Sequence, residues 1–288
     1  MMLPGQICRS GLQQLRHLLL WPLLLLAPLT SATELIELLT TPVQGALVIA
    51  RTDPAASVAL DGSHLPVTAD GRFVFGFGRD ANRQSLLHAR TPDGREQSLL
   101  IQPAARQYAV ERIDGLPPAT VTPPPELSAR ISREAALVAA ARRNTRRSDD
   151  WAMPFIWPAK GRISGVYGSQ RVLNGEPRRP HFGVDVAAPV GTEVVAPAAG
   201  MVVLAEADLY YSGGTVIIDH GDGVTSTFLH LHAVEVSPGQ QLDQGTRIGS
   251  IGATGRATGP HLDWRMNWRD QRVDPRLLLE PESWQQAP

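Results

Sequence analysis

Glycine limits the carboxyl-terminal half of the chain to short extended segments. Between residues 157 and 276 glycines recur every few residues, and runs rich in valine, isoleucine and threonine lie between them, at 201–204, 215–218 and 225–231. β-Branched residues favour strands, and a glycine inside a helix costs about 1 kcal/mol. No helical period longer than two turns occurs in this stretch. We therefore predict a β domain over residues 151–288.

The amino-terminal half also predicts short strands, which are joined by tight turns. Aspartate-glycine dipeptides begin at Asp61, Asp70 and Asp93, and apolar segments of strand length lie between them. This dipeptide favours two-residue hairpin turns. We predict a β-sandwich-like accessory domain over residues 33–116.

A proline-rich linker and one helix are expected to join the two β regions, over residues 117–150. Prolines occur at 117–118 and 123–125, where a fixed φ and a missing N–H disfavour a sheet interior. From 126 to 143 apolar residues recur at helical spacing, and arginines follow that suit a helix carboxyl terminus. The predicted fold class is therefore mainly β, with a helical connector between two β domains.

Composition and charge exclude several classes of function. The 288 residues carry a formal net charge of -1, so no overall basic field draws the chain to nucleic acid. Cys8 is the one cysteine, which excludes an intramolecular disulfide and a metal site built from cysteines. The remaining classes are enzymes and binding modules that use other side chains.

The first 32 residues have the order of an export signal. Arg9 and Arg16 precede an apolar run at 18–29, small residues follow, and no acidic residue occurs before Glu34. The run is shorter than the roughly 20 apolar residues that span a bilayer. We expect cleavage after Ala32, which leaves a mature chain without a transmembrane segment, in the periplasm of a Gram-negative cell.

Histidines and aspartates form short pairs within the β-rich half. His230 and His232 are two residues apart, as are His261 and Asp263. On a strand, residues two apart project from the same face, with Cα atoms about 6.6 Å apart. Each pair can therefore present two polar groups to one surface.

A third pair, His181 and Asp185, needs a bend between its members. On a straight strand the two residues would be about 13 Å apart, too far to share an ion. Gly183 lies midway and is expected to permit the bend. Imidazole and carboxylate are the ligands of catalytic zinc sites, which keep one position open for water. Together the pairs favour one joint metal site over histidines scattered on unrelated strands.

Three motifs occur in the order typical of one known family: HFGVD from His181, TFLHL from Thr227, and GATGRATGPHLD from Gly252. Residues 157–276, which contain them, resemble the lysostaphin-type zinc peptidases, the M23 or LytM family. The resemblance implies a small groove-shaped antiparallel β fold that cuts peptide cross-links in bacterial peptidoglycan. The amino-terminal β domain, proline segment and helix resemble those of exported bacterial members.

The resemblance also implies a role for each candidate residue. His181 and Asp185 match zinc ligands, for one Zn²⁺ per chain. His230 matches the histidine that assists proton transfer, and His261 matches the histidine that faces the catalytic water. His220, in an Asp-His-Gly sequence, is expected to belong to a turn instead of the site.

At position 263 the sequence departs from the family. The family's third zinc ligand there is a histidine, followed by an aromatic and an acidic residue, whereas this chain has Asp263, Trp264 and Arg265. Carboxylate is a legitimate zinc ligand. Around Zn²⁺, however, one histidine and two aspartates sum to zero charge, where two histidines and one aspartate leave +1.

Three interpretations of this departure are open. The one we favour makes Asp263 a functional ligand in a variant zinc metalloendopeptidase that acts on peptidoglycan peptide stems. In the second, His232 supplies a replacement imidazole. In the third, the site is degenerate, and the domain binds cell wall or activates a partner, such as a cell-wall hydrolase or a division protein, without cutting.

Overall fold

Within the residues that the structure describes, the predicted hairpins and glycine-bounded strands build four β-sheets. The computed structural model describes residues 34–113, 125–143, 146–173 and 175–279. In these residues strands dominate and nearly all pairs are antiparallel, which confirms the predicted mainly β class. The predicted export signal and most of the proline-rich segment lie outside the described residues.

Two antiparallel sheets form the amino-terminal region, with their apolar faces in a common core. The strands are β1 (Glu37–Leu38), β2 (Leu47–Arg51), β3 (Ser57–Leu60), β4 (Ser63–Leu65), β5 (Arg72–Gly76), β6 (Ser85–Arg90) and β7 (Glu96–Ile101). The sheet orders are β1-β2-β5 and β4-β3-β6-β7. Asp61 and Gly62 join β3 to β4 with φ angles of 48° and 78°, the left-handed pair that the hairpin dipeptide predicts.

One helix, α1 (Ser128–Arg143), packs against the large sheet of the carboxyl-terminal region. Val138 and Ala141 contact a buried cluster that includes Leu209 and Ile217. The helix confirms the helical period predicted for this segment. In the part of the chain that the structure describes, no helix is long and apolar enough to cross a membrane.

The carboxyl-terminal region is a large antiparallel sheet with short additions. Its strands are β9 (Arg162–Gly165), β12 (Val184–Ala187), β13 (Glu193–Val195), β14 (Gly200–Leu209), β15 (Gly213–Gly221), β16 (Val224–Val234), β17 (Gln241–Leu242), β18 (Arg247–Ile251), β19 (His261–Trp268) and β20 (Gln271–Val273). Their main order is β17-β14-β15-β16-β19-β12-β9, with β13, β18 and β20 attached beside it.

The two regions share a small sheet and an ion pair. β8 (Val110–Ile113) runs parallel to β10 (Gln170–Leu173), which also pairs with β11 (Glu176–Pro177). Arg106 Nη2 lies 2.8 Å from the buried carboxylate of Asp274. All these residues belong to one compact unit. The boundaries near residues 116 and 150 stay a prediction.

We expect Asp274→Ala to lower the free energy of unfolding by about 2–4 kcal/mol, because it leaves the partly buried Arg106 guanidinium without its partner. Urea denaturation measures this loss. Asp80→Ala is the matched control, since Asp80 pairs with Arg79 but its side chain is 74% exposed. The control is expected to change stability by about 0.5 kcal/mol or less. Equal losses in the two variants would contradict this account.

Candidate metal centre and cavity

Strand register brings two carboxylates to the same place. β12 pairs with β19 so that Asp185 is directly opposite Asp263. β16 pairs with the other edge of β19, where Leu229 is opposite Asp263. Both aspartates are buried. Like charges directly opposite each other destabilise a sheet, so this arrangement calls for positive charge between or beside them.

His181 reaches Asp185 across the bend predicted at Gly183. The chain bends at Gly183, and His181 Nε2 lies 3.2 Å from Asp185 Oδ1. Both atoms are buried, and neither makes a hydrogen bond with a described group. A side chain at Gly183 would collide with Asp263, since an ideal Cβ there lies 2.3 Å from Asp263 Oδ1. Glycine is thus required here for space.

The donor set of this cluster fits a zinc ion. One ligand atom each from His181, Asp185 and Asp263 lies within 4.8 Å of the others. Imidazole nitrogen and carboxylate oxygen are zinc ligands, and three protein ligands are the usual number in a catalytic site. The buried, unbonded Nε2 and Oδ1 atoms are what such a site presents when they are reserved for an ion.

Arg265 holds the third of these side chains. Its Nε donates to Asp263 Oδ1 at 2.9 Å and Oδ2 at 3.0 Å, and its Nη2 donates to Oδ2 at 2.5 Å. Burial by itself would raise the pKa of Asp263, but the charge and hydrogen bonds of Arg265 outweigh it and hold this pKa well below its usual range. Asp263 is therefore an anion at neutral pH.

Arg171 lies beside His181 and Asp185, the other two residues of the cluster. Its Nη2 is 3.7 Å from Asp185 Oδ2 and 3.3 Å from His181 Nδ1. Both carboxylates of the cluster therefore have a guanidinium group nearby.

His230 and His261 face each other beside this cluster, with ring centroids 4.8 Å apart. Each Nδ1 lies 2.8 Å from a backbone carbonyl oxygen, that of Thr254 for His230 and that of Gly259 for His261. A carbonyl only accepts, so in both rings Nδ1 carries the hydrogen and Nε2 keeps a lone pair when the ring is neutral. Burial lowers the pKa of His230, which favours its neutral form.

These groups line a cavity of about 950 Å³ whose wall is rich in arginine. Its carboxylates are Asp185 and Asp263 among the described residues, whereas six arginines line it. They are Arg162, Arg171, Arg179, Arg256, Arg265 and Arg272. Burial, and then the charge of Arg265, lowers the pKa of Arg272 to about 10, so Arg272 still carries its charge at neutral pH.

The two other histidines of interest lie outside the cavity wall. His232 is exposed and does not line the cavity, so the structure gives no support to a replacement ligand at this position. The prediction of a turn at His220 was wrong, because His220 is a fully buried residue of β15. Its Nδ1 lies 2.6 Å from Ala199 O and its Nε2 lies 2.8 Å from Ser226 Oγ.

Comparison with known proteins identifies the family. The family model for Peptidase family M23 matches residues 179–275. A Pseudomonas aeruginosa protein of known crystal structure, described as a candidate M23 peptidase, is 31% identical, with a TM-score of 0.63, and the match covers 84% of this chain and 96% of that one. The chain belongs to peptidase family M23. The likeness extends beyond the family model into the amino-terminal strands.

Curated relatives of this M23 protein match over shorter stretches. Peptidoglycan DD-endopeptidase ShyA of Vibrio cholerae is 38% identical over 117 residues, which are 40% of this chain and 27% of the relative. Cell division protein DipM of Caulobacter vibrioides is 32% identical over 131 residues, 43% of this chain and 21% of the relative. The matched part therefore spans about a quarter of the length of these relatives.

Two residues of this M23 site escaped prediction. Arg265 was noted only as a departure from the family sequence, although its position two residues after Asp263 on a strand is a signal for a shared face. Arg171 carries no such signal, because it comes from a different strand and meets the cluster only in the folded chain.

The burial of His220 can be tested through the pH dependence of the protein's stability. Burial lowers the pKa of His220 to about 4, so between about pH 6.5 and 4 the unfolded chain binds a proton that the folded chain does not. Stability is therefore expected to fall by on the order of 3 kcal/mol as the pH is lowered through this window. His220→Gln is expected to remove most of this dependence in urea denaturation, whereas His64→Gln, at an exposed position, is expected to keep it. An unchanged pH dependence in His220→Gln would contradict the assignment.

Proposed function

We propose that this chain is a zinc-dependent endopeptidase that hydrolyses peptide cross-links of bacterial peptidoglycan. The observation that carries the proposal is the cluster of His181, Asp185 and Asp263, which shares one cavity with His230 and His261. The name of the relative ShyA, a peptidoglycan DD-endopeptidase, supports a substrate in the cell wall, and that of DipM supports a link to cell division. We also propose export to the periplasm, in line with the predicted signal over residues 1–32.

The proposed metal ligands are His181 Nε2 and one carboxylate oxygen each from Asp185 and Asp263. Bound to them, zinc would polarise the scissile carbonyl and activate water. The chain prepares this site by burying the three side chains and by leaving Nε2 and Oδ1 without other hydrogen bonds.

His230 and His261 are the proposed groups for proton transfer. Each Nδ1 is fixed by a backbone carbonyl, so each Nε2 is the atom that can accept a proton from water and later donate it to the leaving amine. A histidine that has accepted the proton also offers an N–H to the oxyanion of the tetrahedral intermediate. The lowered pKa of His230 keeps it ready as a base at neutral pH.

The arginines of the cavity support a substrate that carries free carboxylates. Arg162 and Arg179 are exposed at the cavity, and no described carboxylate forms an ion pair with either. Stem peptides of peptidoglycan contain such carboxylates, and charge complementarity speeds encounter and sets orientation. Peptide stems are therefore the proposed partners, with a cell-wall hydrolase or division protein as a further one.

Hydrolysis of purified peptidoglycan tests the proposed roles. We expect His181→Ala to lose both zinc and activity, because it removes a ligand. His261→Gln is expected to keep zinc and lose activity by about 10²–10⁴-fold, since it removes only a proton-transfer group. His232→Ala, at an exposed position outside the cavity wall, is the control and is expected to retain activity.

Substantial activity in His181→Ala would exclude this zinc site. A wild-type protein that binds peptidoglycan but does not cut it with zinc present would favour the degenerate, non-catalytic domain instead. The observation that favours this second function is the ion pair of Arg265 with Asp263, because it engages one of the three candidate zinc ligands.

Arg179→Gln tests the recognition of carboxylates. We expect kcat/KM to fall about threefold to tenfold, mostly through KM, and to depend less on salt, because a cavity-facing charge is lost. Arg133→Gln removes an arginine of α1 that is also exposed but does not line the cavity, and it is expected to leave kcat/KM unchanged. The same fall with a substrate whose carboxylates are amidated would argue against a direct contact.

A further inference from the structure

Arg265 lies close enough to Asp263 to offset the negative charge that this carboxylate brings to the metal centre. It follows Asp263 by two residues on β19, so both side chains leave the same face of the strand and meet side by side. Among the described side chains, Arg265 is the one cation that forms an ion pair with Asp263. Arg171 flanks Asp185 instead, and its charge is the same whichever residue occupies position 263.

We propose that Asp263 and Arg265 act together as one electrically neutral ligand that takes the place of an imidazole. This inference rests on the proposed function, since it requires zinc at the site. With one histidine and two aspartates alone, the charge of Zn²⁺ would be cancelled. The adjacent guanidinium returns the net charge to +1, the value that two histidines and one aspartate would leave.

The contact between the two side chains leaves room for the ion. A carboxylate offers about four lone-pair positions. The single Nε–H of Arg265 is shared between Asp263 Oδ1 and Oδ2, and Oδ2 also receives an N–H from Nη2, so Oδ1 keeps a free lone pair. Oδ1 is also the oxygen that lies against Gly183, midway between His181 and Asp185 in the chain.

The glycine at 183 accommodates both members of the pair. An ideal Cβ at Gly183 would lie 2.3 Å from Asp263 Oδ1 and 2.7 Å from Arg265 Cγ. The φ of Gly183 is not among the positive values, so the requirement is for space and not for an unusual backbone. The segment that supplies the first two ligands thus also admits the paired third ligand.

Zinc affinity in four proteins tests this proposal without any activity assay. The dissociation constant is measured by competition with a chromogenic chelator for wild type, Arg265→Gln, Asp263→His and the double variant Asp263→His/Arg265→Gln. Net charges at the loaded site would be +1, zero, +2 and +1 in that order. We expect Arg265→Gln to bind zinc about tenfold or more tighter than wild type, Asp263→His about tenfold or more weaker, and the double variant within about threefold of wild type.

Two further variants separate charge from structure. Arg265→Lys keeps the positive charge and is expected to bind zinc within about threefold of wild type. Arg256→Gln removes a cavity arginine that lies over the Tyr211 ring, away from Asp263, and is expected to change zinc affinity much less than Arg265→Gln. Thermal unfolding of each metal-free variant identifies any that fail to fold.

The outcomes distinguish this inference from the proposed function. Tighter zinc binding by Asp263→His than by the wild type would overturn the neutral pair, because Arg265 would then be a competitor of the ion. Equal affinities of wild type and Arg265→Gln would overturn it as well. A wild-type protein that takes up no zinc, beside a double variant that does, would overturn the proposed function itself.

Discussion

The site depends on the pairing of β12 with β19. This register sets Asp185 directly opposite Asp263 and places His261 at the start of the same strand. Two buried carboxylates in this arrangement repel each other unless cations neutralise them. In the structure Arg265 forms an ion pair with Asp263 and Arg171 lies near Asp185. The donor atoms of the cluster also fit a metal ion.

The amino-terminal region supports one wall of this cavity. β8 pairs with β10, the strand that carries Arg171, and Gln170 N donates to Ala109 O at 2.8 Å. The helix α1 packs on the large sheet, but all described cavity-lining residues lie between Arg162 and Arg272. The region thus contributes to the site by supporting the strand of Arg171, and the described part of α1 does not line the cavity.

The sequence was sufficient to predict what depends on local spacing. Gly183 predicted the bend between His181 and Asp185, and the two-residue spacing predicted that His261 and Asp263 share a face. What it could not supply was the partner that each group meets across the fold. The contact of Arg171 with His181 and the burial of His220 depend on how neighbouring segments fold back on each other, and no periodicity encodes them.

This chain has Asp263 where the family has a histidine, and the difference changes the charge of the site more than its donor chemistry. Carboxylate oxygen can bind zinc, so the decisive question is whether the side chain held by Arg265 is still a ligand. The family assignment does not answer this, because it rests on similarity over the whole matched region and not on the residue at position 263. The answer lies in the metal content of the protein.

Elemental analysis of the purified protein and of its Asp263→Asn variant tests the central claim most directly. The variant keeps the shape of the side chain and removes its charge. We predict about one zinc per wild-type chain and a large loss of zinc in Asp263→Asn at the same free zinc concentration. A wild-type protein without zinc, or a variant that retains the full amount, would contradict the assignment of Asp263 as the third ligand.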